Sequence, residues 1–302
     1  MRNLVTLEQV KAWMNAENTT ENDGFYRHLQ NGVSQLIEKY CARPFVTQHY
    51  MVYYDTNGDN TLILNHFPIY RNGVSFSLWI DYERVFGNST LIDSSEYHLS
   101  EESGMILLYE RTFPVGKRMV KTDYWAGLSR FEVEENVNDR LDLGDYDLSS
   151  IQIPAGSYIA ETLAAKIQEL ANPTGSFANP LSVQYRHDTQ RFTISRSAPF
   201  SLLLKTGDNT SKSIGKLLGY STVEDKTGLT AYEADFAVTG LSGDIPIAAE
   251  MIIHSWFSNS ARGGETLPVS SREAGGDITV NFDKQSIPRE AKTILDHYVQ
   301  WN

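Results

Sequence analysis

The spacing of apolar residues changes sharply at Arg43-Pro44, and a chain with that change must join helix packing to sheet packing. Before it, Phe25, Leu29, Val33, Leu36, Ile37 and Tyr40 step by three and four, which sets one apolar stripe along a helix from about Asp23 to Cys41. Leu7, Val10, Trp13 and Met14 give a shorter helix ahead of it, with Thr6 as cap and Gln9 completing a capping box. A residue before proline avoids helical angles, so Arg43-Pro44 stops the long helix. From 45 to 128 the period is two. Strands are expected over 46–55, 61–64, 75–81, 97–100, 105–110 and 117–127, with turns such as NGDN at 57–60 and PVG at 114–116 between them.

Residues 129–240 have a different texture. They open on an acidic stretch, 131–147, with seven carboxylates against one arginine, which reads as a charged, solvated linker. Then come a strand at 149–153, a PAG turn and a helix over about 159–171, striped by Leu163, Ile167 and Leu170 and ended by Pro173. A hairpin over 181–186 and 191–196, a third strand at 200–205 and a short helix at 211–219 complete a β-α-β-β-β run large enough for its own core. After 240 the pattern returns to helix. Ile245-Pro246 opens one helix through about 260. A Gly-rich loop follows at 261–276, then a strand at 277–282 and a last helix behind Ile287-Pro288. The fold class expected is α+β, with a helical core, a small antiparallel β region and an inserted α/β domain.

Composition narrows the function classes. The 302 residues amount to about two domains at roughly 150 residues each. The net charge of −12 argues against a protein that grips nucleic-acid phosphates with a basic face. The single cysteine, Cys41, cannot build a disulfide framework or a zinc knuckle. The N-terminal segment shows no apolar run of signal-peptide length, and no 18 consecutive apolar residues occur, so no membrane partner is expected. Sixteen Tyr, thirteen Phe and five Trp suit a β-rich core or an interface.

Motifs for chemistry are missing at the spacings they require. The seven histidines include no pair at i,i+3 or i,i+4, and no G-x-S-x-G elbow occurs. Gly215-Lys216 cannot belong to a phosphate loop, because Thr210 stands at the earlier glycine position and Leu217 replaces the magnesium-holding hydroxyl. DTNGDN at 55–60 fails as a calcium loop, with Asn60 and His66 where glycine and glutamate are needed. Neither catalysis nor a cofactor is expected.

With 129–240 set aside, the remaining order is short helix, long helix, small β region, helix, Gly-rich loop, strand and final helix. The segments LVTLEQVKAWM (4–14), FYRHLQNGVSQLIEKYCARPF (25–45), FPI (67–69), the run 104–128, IPIAAEMIIHSWFSNSARGG (245–264) and IPREAKTILDHY (287–298) resemble the head–tail connector (head-completion, adaptor) proteins of tailed bacteriophages. That family's long helix ends in a segment matched by Tyr40, Cys41, Arg43 and Phe45. Its aromatic-A-G strand end is matched by Tyr124-Trp125-Ala126-Gly127. The resemblance covers about 190 of the 302 residues. The chain departs from the family in 129–240, which intervenes where Ile245-Pro246 usually follows within a few residues.

The resemblance implies a connector core of 1–128 with 241–302 and an inserted domain, 129–240. It implies a virion structural protein at the neck, assembled in the host cytoplasm. Such proteins form a ring, typically of twelve copies, between the portal protein and a downstream connector, stopper or tail protein. Genomic double-stranded DNA passes through without specific binding. By the same analogy Tyr298, Val299, Trp301 and Asn302 are expected at the portal, or else packed on the chain's own core. Arg262, Gly263, Gly264 and Trp256 are expected at a ring or neighbour contact. The alternative is a tail-tip or fibre-associated module that recognises a host surface through 129–240.

Overall fold

The computed structural model describes residues 3–17, 20, 22–144, 149–173, 179–241, 243–261, 272–274, 277–279 and 287–300. Two helices lead. In α1 (Leu7–Trp13) the Thr6 hydroxyl accepts from Gln9 N at 3.1 Å, and the Gln9 side chain accepts from Thr6 N at 2.8 Å, the capping box read from sequence. α2 (Asp23–Cys41) buries Leu29, Val33, Leu36, Ile37 and Cys41 on one face. It stops because Ala42 turns left-handed at φ +53, one residue before Arg43-Pro44.

By its contacts the chain forms two compact units, Met1–Ala42 with Ser129–Asn302, and Arg43–Leu128. The expected division, 1–128 with 241–302 against 129–240, groups the segments differently: 43–128 stands as a unit of its own.

That unit is all β. Its strands are β1 (Gln48–Asn57), β2 (Thr61–Ile63), β3 (Ile69–Tyr70), β4 (Ser77–Ile80), β5 (Tyr97–Ser100), β6 (Met105–Leu108) and β7 (Val115–Ala126). β7 is the axis of one sheet and pairs antiparallel with β1, β3 and β4. β2, β6 and β5 form a second, antiparallel sheet. Alternation puts Tyr54, Leu78, Val120, Tyr124 and Ala126 into a core with Leu64, Ile106, Leu108 and Phe113. Burial stabilises by about 1.5–3 kcal/mol for each large apolar side chain. β3 escapes the sequence pattern because two residues are too few to show a period. Gly127, at φ +142, ends β7 where a Cβ would meet Thr47 Cα at 2.5 Å, so the family-like A-G pair answers to a backbone contact.

In the other unit the acidic stretch is no linker. It contains β8 (Phe131–Val133) and β9 (Arg140–Gly144), with Phe131, Val133, Leu141 and Leu143 buried between the carboxylates. Next come β10 (Ser150–Gln152), β11 (Gly156–Tyr158), α3 (Ala160–Ala171), β12 (Ser182–Arg186), β13 (Arg191–Leu202) and β14 (Lys226–Glu233). The sheet order is β10-β9-β13-β12, with β14 on the other side of β13 and β11 paired to β8. β13 is continuous where two strands, 191–196 and 200–205, are expected; its ladder with β14 absorbs Ala198-Pro199 as an irregularity between Ser195 and Phe200. Residues 211–219 form two 3-10 turns, Thr210–Lys212 and Ile214–Lys216, in place of one helix. One core holds the strands and α3 together, centred on Phe192, Ile194, Phe200, Leu163 and Ile167.

The chain ends with α4 (Asp244–Ala261), β15 (Arg272–Ala274), β16 (Asp277–Thr279) and α5 (Arg289–Leu295), the last continued by a 3-10 turn over Asp296–Tyr298. α4 packs on α1, α2 and α5, and α5 packs on α2, so helices from both ends of the sequence form one cluster. Ala248, Ala249, Ile252, Ile253 and Trp256 are the buried face of α4. Five α-helices lie among the described residues, and the architecture is mixed α/β with several antiparallel sheets.

Candidate assembly interface

The C-terminal segment is tied to α2. Gln300 N donates to Cys41 O at 2.9 Å, and Tyr40 Oη donates to Asp296 Oδ1 at 2.5 Å. That hydrogen bond, with burial second, pushes the Tyr40 phenol up to about 12. Tyr298 Oη donates to Asp244 Oδ2 at 3.3 Å, at the start of α4. Tyr298 and Val299 are each half-buried. Trp301, Asn302, Arg262, Gly263 and Gly264 lie outside the described residues. Trp256 is 1% exposed, so its indole packs inside its own unit.

A second surface, unread in the sequence, belongs to the β1–β7–β4 sheet. Its inner face is covered by core. On its outer face His49 pairs across with Trp125, Met51 with Asp123, and Tyr53 with Lys121, and Lys121 pairs on its other side with Trp79. His49 also contacts Asp123, an ion pair whenever the imidazole is charged. Lys121 Nζ sits 4.5 Å from the Trp79 ring centre, and the Arg118 guanidinium sits 4.8 Å from that of Tyr53. Tyr53 in turn lies 5.3 Å from the Phe86 ring.

This face ends in a tip, residues 82–86, that one carboxylate organises. Asp81, 6% exposed, accepts from the backbone N–H groups of Glu83 (2.8 Å), Val85 (2.9 Å) and Phe86 (2.7 Å). The Phe86 N–H leads in holding its carboxyl below the usual carboxylate range. Arg84 and Phe86 take left-handed φ of +61 and +56, and Arg118 beside them takes +54. Tyr82 and Val85 project into solvent at 66% and 79% exposure. The cations Arg84, Lys117, Arg118 and Lys121 gather here, with Arg84 Nε donating to Lys117 O at 3.0 Å. Aromatics, methionine and arginine around an exposed apolar tip are the composition of a protein-binding face. The signal available was DYERVF (81–86), three apolar side chains in a segment too irregular to be a strand.

A cavity of about 600 Å³ opens in the other unit, between α1, α2 and the β12–β13 turn. Its floor is a fixed amide pair: Gln30 Nε2 donates to Val5 O (2.8 Å) and Gln190 Oε1 (3.1 Å), and Gln190 Nε2 donates to Asn3 O (2.8 Å). Lys11 pairs with Asp23 at 2.8 Å, and Arg191 pairs with Glu8. Five carboxylates and three cations line the cavity, an anionic excess of two that Arg186, paired with Asp188 from outside the lining, reduces to one; Leu7, Ala12 and Phe236 add apolar wall.

Among the described residues, no group of three or more His, Cys, Asp or Glu side chains could hold a metal ion. No helix there is long and apolar enough to cross a membrane.

No protein-family model matches the chain, and no curated protein matches it. Among solved structures, one described as the neck of an empty GTA particle computed with C6 symmetry is similar at 15% identity and a TM-score of 0.29, covering 41% of this chain and 69% of that one.

Proposed function

We propose that this chain is a structural virion protein of the phage neck: a ring adaptor between the portal protein and a tail protein or further connector, with DNA passing through its lumen. The observation that carries this reading is the helical cluster. α1 and α2 from one end of the sequence pack with α4 and α5 from the other, and these are segments in which the chain resembles head–tail connectors. Charge agrees with a DNA conduit. The chain is acidic overall at −12, and the acidity is shared between 129–240 (ten cations, fifteen anions) and the rest, so duplex DNA is repelled more than held.

In this reading 129–240 is an insertion with its own core, and a ring of twelve copies docks on the portal through Tyr298, Val299, Trp301 and Asn302. Arg262, Gly263 and Gly264 meet a neighbour, while Trp256, 1% exposed, packs inside its own unit. The function needs no cofactor and no reaction, and the protein's place is the virion, after assembly in the host cytoplasm. Native mass measurement of the chain with and without portal protein tests the reading. A portal-bound ring of this chain is the expected result; a chain that never binds portal rings refutes it. Deleting 299–302 is expected to weaken portal docking while the melting temperature stays within a few degrees.

A further inference from the structure

We propose that the 82–86 tip of one copy docks into the anionic cavity between α1, α2 and the β12–β13 turn of a second copy of this chain. The inference rests on the ring reading and names the contact that would build the ring.

Three observations converge on it. First, the tip is exposed yet preorganised. Asp81 fixes three of its backbone N–H groups, and two of its residues hold left-handed φ. An apolar projection that is already ordered loses little entropy on binding. Strain of this kind persists where the surroundings over-determine it, and it clusters at functional places. Second, the charges complement. Around the tip, Arg84, Lys117, Arg118 and Lys121 outnumber its own Glu83 and Asp55, which accepts from Arg118 N at 2.9 Å. In the cavity, Lys11 and Arg191 pair with Asp23 and Glu8, Asp188 pairs with Arg186, and Glu17 and Glu233 outnumber the remaining cation, Arg27. Third, the cavity has the volume of a binding pocket. About 600 Å³ lies within the range of roughly 300–1,000 Å³ typical of pockets that enclose a ligand, and Leu7 and Phe236, the latter 56% exposed, offer apolar wall to Tyr82 and Val85.

Tip and cavity are different patches, so the contact is head-to-tail. Such a contact propagates and makes a ring where the rotation closes. A polyanion such as DNA fits the cations but gives no role to Tyr82 and Val85, which favours a protein partner.

Two full-length variants test this by analytical ultracentrifugation: Val85→Asp, which spoils the tip, and Glu17→Arg/Glu233→Arg, which spoils the cavity. Both alter exposed side chains, and unchanged thermal melts establish folding; Tyr82→Ser serves as a second tip variant. The wild-type chain is expected to form oligomers as its concentration rises. Each variant alone is expected to need at least about tenfold more protein for half-assembly. Mixed in equal amounts, the two retain one intact tip and one intact cavity, so the expected product is a 1:1 dimer and nothing larger. The proposal is overturned if Val85→Asp assembles like the wild type, if the mixture stays monomeric, or if the wild type stays monomeric up to about 1 mM. It is also overturned if wild type binds a short DNA duplex at physiological salt and Val85→Asp abolishes that binding. If Val85→Asp still forms portal-bound rings, only this contact falls; if the wild type forms none, the ring reading falls with it.

Discussion

Two buried aspartates show how differently the regions 43–128 and 129–240 are built. Asp81 gives its oxygens to residues two to five positions on, and so shapes a tip that stands in solvent. Asp142 reaches 67 residues along the chain, accepting from Asn209 N at 2.6 Å and from Asn209 Nδ2 at 2.9 Å. The aromatics divide the same way. Phe131, Phe192, Phe200 and Tyr232 turn inward and meet each other in one core, whereas Tyr53, Trp79, Phe86 and Trp125 lie on the outer side of a sheet whose inner side is already filled. A polar group satisfied locally leaves its neighbours free to face outward. One satisfied across the chain draws its neighbours in. The first arrangement suits docking and the second suits self-sufficient folding.

The comparison can be broken most directly at Phe192, fully buried and edge-on to Phe131 at 5.4 Å. Phe192→Ala is expected to cost about 3–5 kcal/mol in urea unfolding; a loss under about 1 kcal/mol would mean that this core is not what holds the region. Asp142→Ala strands the Asn209 donors and is expected to cost about 1–3 kcal/mol in the same measurement. On the outer sheet face Tyr53→Ala removes contacts to Arg118 and Phe86, yet should cost less than about 1 kcal/mol. A larger loss would make that face structural. The smallest effect concerns pH. Because the Asp81 carboxyl is held below its usual range, its ionised form fixes the tip at neutral pH, and that support is lost only as pH falls below about 4. The amide NMR signals of Glu83, Val85 and Phe86 should therefore stay constant from about pH 5 to 8 and shift only in acid.

The sequence made α2 legible because a stripe of six apolar residues is closed by a proline at 44. It made the β5–β6 hairpin legible because alternation flanks a tight turn. β14 was hidden, since an outer strand whose buried side chain is Tyr232 has no alternation to show. β8 and β9 were hidden by their charge; Asp142 is buried only because Asn209 arrives to meet it, and no local window contains that pairing. The 82–86 tip was hidden for a related reason. Period two says that a strand has two faces, and says nothing about which of them the rest of the chain will cover.

Cys41 gives the C-terminal tie a built-in clock. It is the one thiol in 302 residues and is fully buried, with Sγ donating to Leu295 O at 3.6 Å and its own carbonyl held by Gln300 N. A disulfide reagent in solution reaches that sulfur only when the segment 295–300 lifts away or α2 opens beneath it. The labelling rate of the unmodified protein therefore follows the open fraction at low reagent concentration and levels off at the opening rate where labelling outpaces reclosing.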